Sequence, residues 1–168
     1  MINRLTHLLR PRTARATLVS VALALALLPG VMPAFARAQR IALDGTETKT
    51  FGIPERTWTA GPWEIHADNT LPGTFDFGAL KGTLVWVAND RFDFSVGNGY
   101  VWGKVAYTDT ASGVVCSGTG EGKVTGFLLT AHIVTKCSDG SIMQGTLQDV
   151  YNDLIGLHST FHGELLTP

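Results

Sequence analysis

Between positions 73 and 107 apolar and polar side chains alternate with a period of two, and this alternation constrains the fold more than any other feature. Phe75 and Phe77 share one face of a short run. Leu80, Gly82, Leu84, Trp86 and Ala88 share a face of the next, opposite Thr83, Val85 and Val87. Phe92, Phe94 and Val96 form a third row, and Val101, Val105 and Tyr107 a fourth, opposite Trp102. Successive side chains of a strand point to opposite sides, so each run predicts a half-buried strand. Pro72-Gly73, Asn89-Asp90 and Gly97-Asn98-Gly99 stand between the runs as turns, the last a hairpin signal because Asn-Gly populates positive φ.

The remainder reads the same way. Residues 123–137 form the longest apolar run after the N-terminal segment, and Phe127 to Val134 are apolar but for Thr130 and His132. A strand made from them is expected to be central and buried along much of both sides. Gly126 opens it, β-branched residues crowd it and Asp139-Gly140 closes it, which favours a strand over a buried helix. Trp63, Ile65 and Ala67 alternate with Glu64 and His66 after Pro62. Residues 141–151 and 154–166 supply two more strands around an Asn152-Asp153 turn, the last with Ile155, Leu157, Ser159 and Phe161 on one face.

Short strands at eight-to-twelve-residue spacing predict an all-β domain, a single antiparallel barrel of about eight strands, with a β-sandwich as the alternative. Glycines inside strands, at 82, 103, 126, 145, 156 and 163, suggest the bends of a closing sheet and favour the barrel. The glycine-rich stretch 118–122 reads as a hairpin loop.

The N-terminus has the three parts of a secretory signal. Arg4, Arg10, Arg12 and Arg15 precede an apolar stretch at 16–28, and Ala34-Phe35-Ala36 and Ala36-Arg37-Ala38 offer cleavage sites. The apolar core is too short to span the bilayer, and Pro29-Gly30 breaks it. The expected organisation is a signal peptide at 1–38, an extended segment at 39–60 holding one short strand at 46–51, and an antiparallel domain at 61–168. The expected destination is the periplasm or the cell exterior, with no membrane span after cleavage. Five of the 13 Lys and Arg precede Ala38, leaving eight against 14 Asp and Glu, a net charge of about −6 after cleavage. That sign, without clustered cations, argues against nucleic acid as a partner. Cys116 and Cys137 are the two cysteines, and an even pair in an exported chain predicts a disulfide. Its loop of roughly 20 residues corresponds to about 3 kcal/mol in the chain-entropy model.

Catalytic motifs are scarce. The Gly118–Lys123 stretch fails the phosphate-loop and dinucleotide patterns, no G-x-S-x-G surrounds a serine, and residues 149–153 lack a calcium ladder. His158 and His162 on one strand would stand about 13 Å apart, too far to share a metal ion. No metal site and no cofactor are expected. His132, opposite Ala131 and Ile133, is the one catalytic candidate, and a solvent-facing imidazole is its plainer reading. The aromatics Trp63, Trp86, Trp102, Tyr100 and Tyr107 are candidate ligand contacts. Trp86 and Trp102 are placed to meet across neighbouring strands, and Trp58 and Trp63 to plug one mouth. Core filling is the competing role for all of them. Together these features point to a small barrel binding an apolar molecule. The alternatives are a barrel-type cyclase or isomerase using His132, and an envelope or extracellular interaction protein with a filled core.

Overall fold

The computed structural model describes residues 38–150 and 157–168. Nine strands run β1 (Gln39–Lys49), β2 (Arg56–Ala60), β3 (Trp63–Asp76), β4 (Lys81–Asp93), β5 (Asn98–Asp109), β6 (Val115–Thr125), β7 (Leu128–Cys137), β8 (Ile142–Val150) and β9 (Leu157–Thr167). From β3 to β9 each strand pairs antiparallel with the next. β1 then joins the two ends: it pairs with β9 from Gln39↔Thr167 to Lys49↔Leu157 and with β3 from Thr46↔Asp76 to Lys49↔Gly73. The result is a closed eight-stranded barrel, which leaves no long unpaired edge. β2 is the extra strand, lying along the first half of β3 from Arg56↔Ala67 to Ala60↔Trp63. No helix among the described residues is long and apolar enough to cross a membrane.

The alternation places the core where the sequence puts it. Leu84, Trp86 and Ala88 of β4 face inward, as do Val105 and Tyr107 of β5 and Leu157, Ser159 and Phe161 of β9. Four rings fill the centre: Phe77 stacks on Phe161 at 4.2 Å, and Tyr107 meets Phe75 edge-on at 5.2 Å. Cys116 and Cys137 oppose each other on β6 and β7 with Cα atoms 3.8 Å apart, and their disulfide lies buried at one end of the interior.

Several expectations are corrected. The extended segment at 39–60 does not stand apart, because β1 begins at Gln39 and closes the barrel. Pro72-Gly73 and Asn89-Asp90 do not turn the chain; they run through β3 and β4. Pro72 sits where the β1 ladder ends, its carbonyl accepting from the Thr50 N–H at 2.9 Å. A Cβ on Gly73 would come 2.1 Å from the Thr48 carbonyl oxygen, so the close crossing of β1 and β3 requires glycine. The 118–122 stretch is not a loop either. It alternates within β6, with Gly118, Gly120 and Gly122 inward and Thr119 and Glu121 outward. A Cβ on Gly120 would stand 2.2 Å from the Trp86 ring. That glycine row is room for an indole.

The same holds at Gly145 and Gly163, which pair across β8 and β9 beneath the Phe161 ring. β7 is buried on one side only: Leu129, Ala131 and Ile133 face inward, while Leu128 and Val134 are about half exposed. Phe127 is no strand residue. Gly126 and Phe127 form the two-residue β6–β7 turn with φ of 57° and 66°, and the Phe127 ring packs over Gly97 of the β4–β5 turn. Phe94 and Val96 lie exposed around that turn instead of continuing the inward row. Ile155 and the Asn152-Asp153 turn fall outside the described residues.

Candidate functional site

The interior is not uniformly apolar. Leu43, Gly45, Glu47 and Lys49 follow one another on the inner face of β1, so the period that buries Leu43 also buries two charges. Lys49 Nζ donates to Glu47 Oε1 and, at 2.9 Å, to Ser159 Oγ, which donates to Asp149 Oδ2 at 2.9 Å. The Tyr107 hydroxyl donates to Glu47 Oε2 at 2.9 Å. The Lys49 ammonium also stands 5.7 Å from the centre of the Trp86 ring. This chain of contacts satisfies charges that would otherwise be prohibitive to bury. Burial pushes the Asp149 carboxyl up despite the Ser159 bond, and burial and then Glu47 push the Tyr107 hydroxyl well above its ordinary range.

Above this network, away from the disulfide, lies a cavity. Phe51, Leu71, Ala88, Val101, Leu129 and Leu157 give it apolar walls, while Lys49, Asn69, Trp86 and Asp90 bring polar atoms to it. The space that a water-sized sphere can enter is about 30 Å³, room for about two waters. A space of that size is too small to enclose a whole drug-sized molecule.

A bulge in β3 builds the polar side of this cavity. The β3–β4 register shifts between His66 and Asn69, and Asp68 takes a φ of 57°. A bulge resets the inside–outside phase, so His66 and Asn69, three residues apart, both face the side of β4 that carries Asp90 and Ala88. His66 Nδ1 lies 3.0 Å from Asp90 Oδ1, and Nε2 lies 2.9 Å from Glu64 Oε1. Burial draws the His66 imidazole down, but the bonds to Glu64 and Asp90 outweigh it and its pKa is raised. Asp90 is raised as well, by burial first, against the pull of His66. Asn69 Oδ1 is buried and accepts no hydrogen bond. Unpartnered buried acceptors are rare enough to demand a cause.

The five candidate aromatics divide into two groups. Trp86 and Tyr107 lie inside, one lining the cavity and the other in the network beneath it. Trp63, Tyr100 and Trp102 lie on the outer wall. Trp86 and Trp102 do not meet, because Trp86 pairs with Val105 on the inner face and Trp102 with Asn89 on the outer one. Trp58 and Trp63 plug no mouth: Trp58 is 46% exposed, and Trp63 faces outward beside Arg91. In this half of β3 the phase runs opposite to expectation, with Glu64 and His66 on the face of Phe92 and Asp90.

His132 is exposed on the outer wall, its Nδ1 3.2 Å from Thr146 Oγ1, in an open groove with Gln144 and Glu164. It touches no part of the cavity. His158 and His162 bond separately to Thr48 and Asp44. No group of three or more His, Cys, Asp or Glu among the described residues is placed to hold a metal ion. Sequence reasoning missed Asn69, Asp90, Glu47 and Lys49. For Glu47 and Lys49 the signal was the inward alternation from Leu43, whereas Asn69 and Asp90 depend on the bulge.

Comparison with protein-family models, with curated proteins and with solved structures finds no match for this chain.

Proposed function

We propose that this is an exported binding module that holds a small molecule by one end in the mouth of its barrel. The observation that carries this reading is the buried, unpartnered Asn69 Oδ1 of a residue lining a cavity whose walls are mostly apolar. An acceptor so placed selects a hydrogen-bond donor, so the ligand is an apolar molecule ending in a hydroxyl or an amide N–H. The donor bonds Asn69, and the first carbons pack against Ala88, Leu71 and Leu129. Export rests on the basic-apolar-small pattern of residues 1–38, and the buried disulfide suits an oxidising compartment.

Trp86 reports on the cavity it lines. Titrating the purified chain with short alcohols and amides is expected to quench its fluorescence saturably, whereas alkanes of equal size bind more weakly. Ala88→Leu, which fills the cavity, abolishes the effect. Absence of a saturable response across the panel would overturn the reading, because a pair of trapped waters would then suffice for Asn69. Fractionation of cells expressing the full chain tests export, and an uncleaved product in the cytoplasm would contradict it.

Asp90 supports a second reading, in which the barrel is a proton-transfer enzyme. A buried carboxyl at the cavity, backed by His66 at 3.0 Å, has the form of a general base held in place. This pair replaces His132 as the catalytic candidate. Asp90→Asn that binds ligand normally yet stops exchange of the bound ligand's acidic C–H protons with solvent would favour the enzyme. Unchanged exchange would retire it.

A further inference from the structure

The outer wall carries a second constellation, separate from the cavity. Arg91 of β4, Tyr100 of β5 and Lys123 of β6 fall in one cross-strand row, Arg91↔Tyr100 and Tyr100↔Lys123. Trp63, at the start of β3, comes alongside. The Arg91 guanidinium carbon stands 5.6 Å from the centre of the Trp63 ring and 6.0 Å from that of Tyr100. Tyr100 lies 5.7 Å from Trp102, ring centre to ring centre, and Trp102 is 39% exposed.

Aromatic faces beside a guanidinium restrain its position and leave its N–H donors free for another group. Among the described arginines, Arg40 pairs with Glu164 and Arg56 with Asp68. Arg91 has only its two aromatic contacts and donates to no described acceptor. Lys123 has no carboxylate partner among the described residues either. The Glu121 carboxylate, two residues before Lys123, is engaged by the Tyr100 hydroxyl at 3.0 Å. A groove of about 340 Å³ is lined by Trp63, Arg91, Tyr100 and Lys123, with Asn98 and Thr125 also on its walls and Trp102 just outside it.

We infer that this groove binds the carboxylate of a short acidic saccharide. The Arg91 fork takes the carboxylate in a bidentate bond, and Lys123 supplies a second positive charge. The open ring of Trp102 provides a flat apolar surface for the C–H face of the neighbouring sugar. The charge of about −6 on the cleaved chain disfavours a long polyanion and leaves a short acidic ligand at a local cationic site.

The test is calorimetric titration of the mature chain with a galacturonate trimer, a neutral galactose trimer and sodium sulfate. The acidic trimer binds saturably and the neutral one at least tenfold more weakly. Arg91→Gln weakens the acidic trimer at least tenfold, Arg91→Lys weakens it several-fold because the fork is lost, and Trp102→Ala also weakens it. Ala88→Leu, inside the barrel, leaves this binding unchanged, so failure here and failure at the cavity are distinguishable. Arg91 is exposed, and an unaltered thermal midpoint for Arg91→Gln shows that folding is not the cause. Equal affinity for the neutral trimer, wild-type affinity in Arg91→Gln, sulfate binding as tightly as the trimer, or no saturable binding at millimolar ligand would each overturn the inference.

Discussion

Glu47 and Lys49 project from the same face of β1 and bond to each other inside the barrel, with side chains 0% and 4% exposed. The pair holds the middle of the interior together, because Tyr107 bonds to the carboxylate and Ser159 accepts from the ammonium. Lys49→Met removes the cation but leaves Glu47 buried without its ionic partner. A loss of about 3–5 kcal/mol in urea unfolding is expected. Adding Glu47→Gln to Lys49→Met restores much of that loss, since no unpaired charge remains. Purely additive costs would show that the two groups do not act as a pair.

His66 makes stability depend on pH. Its folded pKa is raised above the ordinary imidazole value of about 6.5, so the stability it contributes is fully present below about pH 6.5 and lost as pH rises through the folded value. Urea midpoints measured from pH 6 to 9 are expected to fall more steeply for the wild type than for His66→Gln over that window. Parallel curves would show that the Glu64 and Asp90 contacts do not hold the imidazolium.

The disulfide closes a span of 21 residues that the β6–β7 hairpin already brings together. Replacing Cys116 and Cys137 with Ala is expected to cost about 2–4 kcal/mol, by relaxing the unfolded chain and leaving a small void at that end of the core. Circular dichroism should show the same strand content in the variant at low temperature. Loss of the fold at all temperatures would mean that the barrel cannot close without the bridge.

Gly120 leaves no room for a side chain beside the indole of Trp86. A single methyl group there meets the Trp86 ring, which lines the cavity. Gly120→Ala is expected to destabilise by about 1–3 kcal/mol and to shift Trp86 emission. An unchanged spectrum would mean that the indole has another position available.

These contacts show how far the sequence can be read. Strict alternation made β4 legible from Leu84 to Ala88, and the two cysteines predicted their own bridge. Where a bulge, a crossing or a turn resets the phase, legibility stops. Pro72-Gly73 looks like a turn because both residues punctuate chains, yet here they sit where β3 crosses the end of β1. Phe127 looks like a core residue, yet it occupies a left-handed turn because its ring finds Gly97. Glycines taken as bends in the sheet at 145 and 163 give space to Phe161. The charges of Glu47 and Lys49 lay in plain alternation, but polarity argues against burial until the partners at 107, 159 and 149 are known. Asn69 and Asp90 needed the register of β3 on β4, which no single strand carries.

The central claim is that the mouth of the barrel, at Asn69, takes one end of a small molecule. Two-dimensional NMR of labelled protein, titrated with a fragment set of short alcohols and amides, tests it most directly. The account predicts shifts concentrated on the Asn69 side-chain amide, the Trp86 indole and the methyls of Ala88 and Ala131, all absent in Ala88→Leu. Fragments that leave those signals unmoved, or that move them equally in Ala88→Leu, would contradict it.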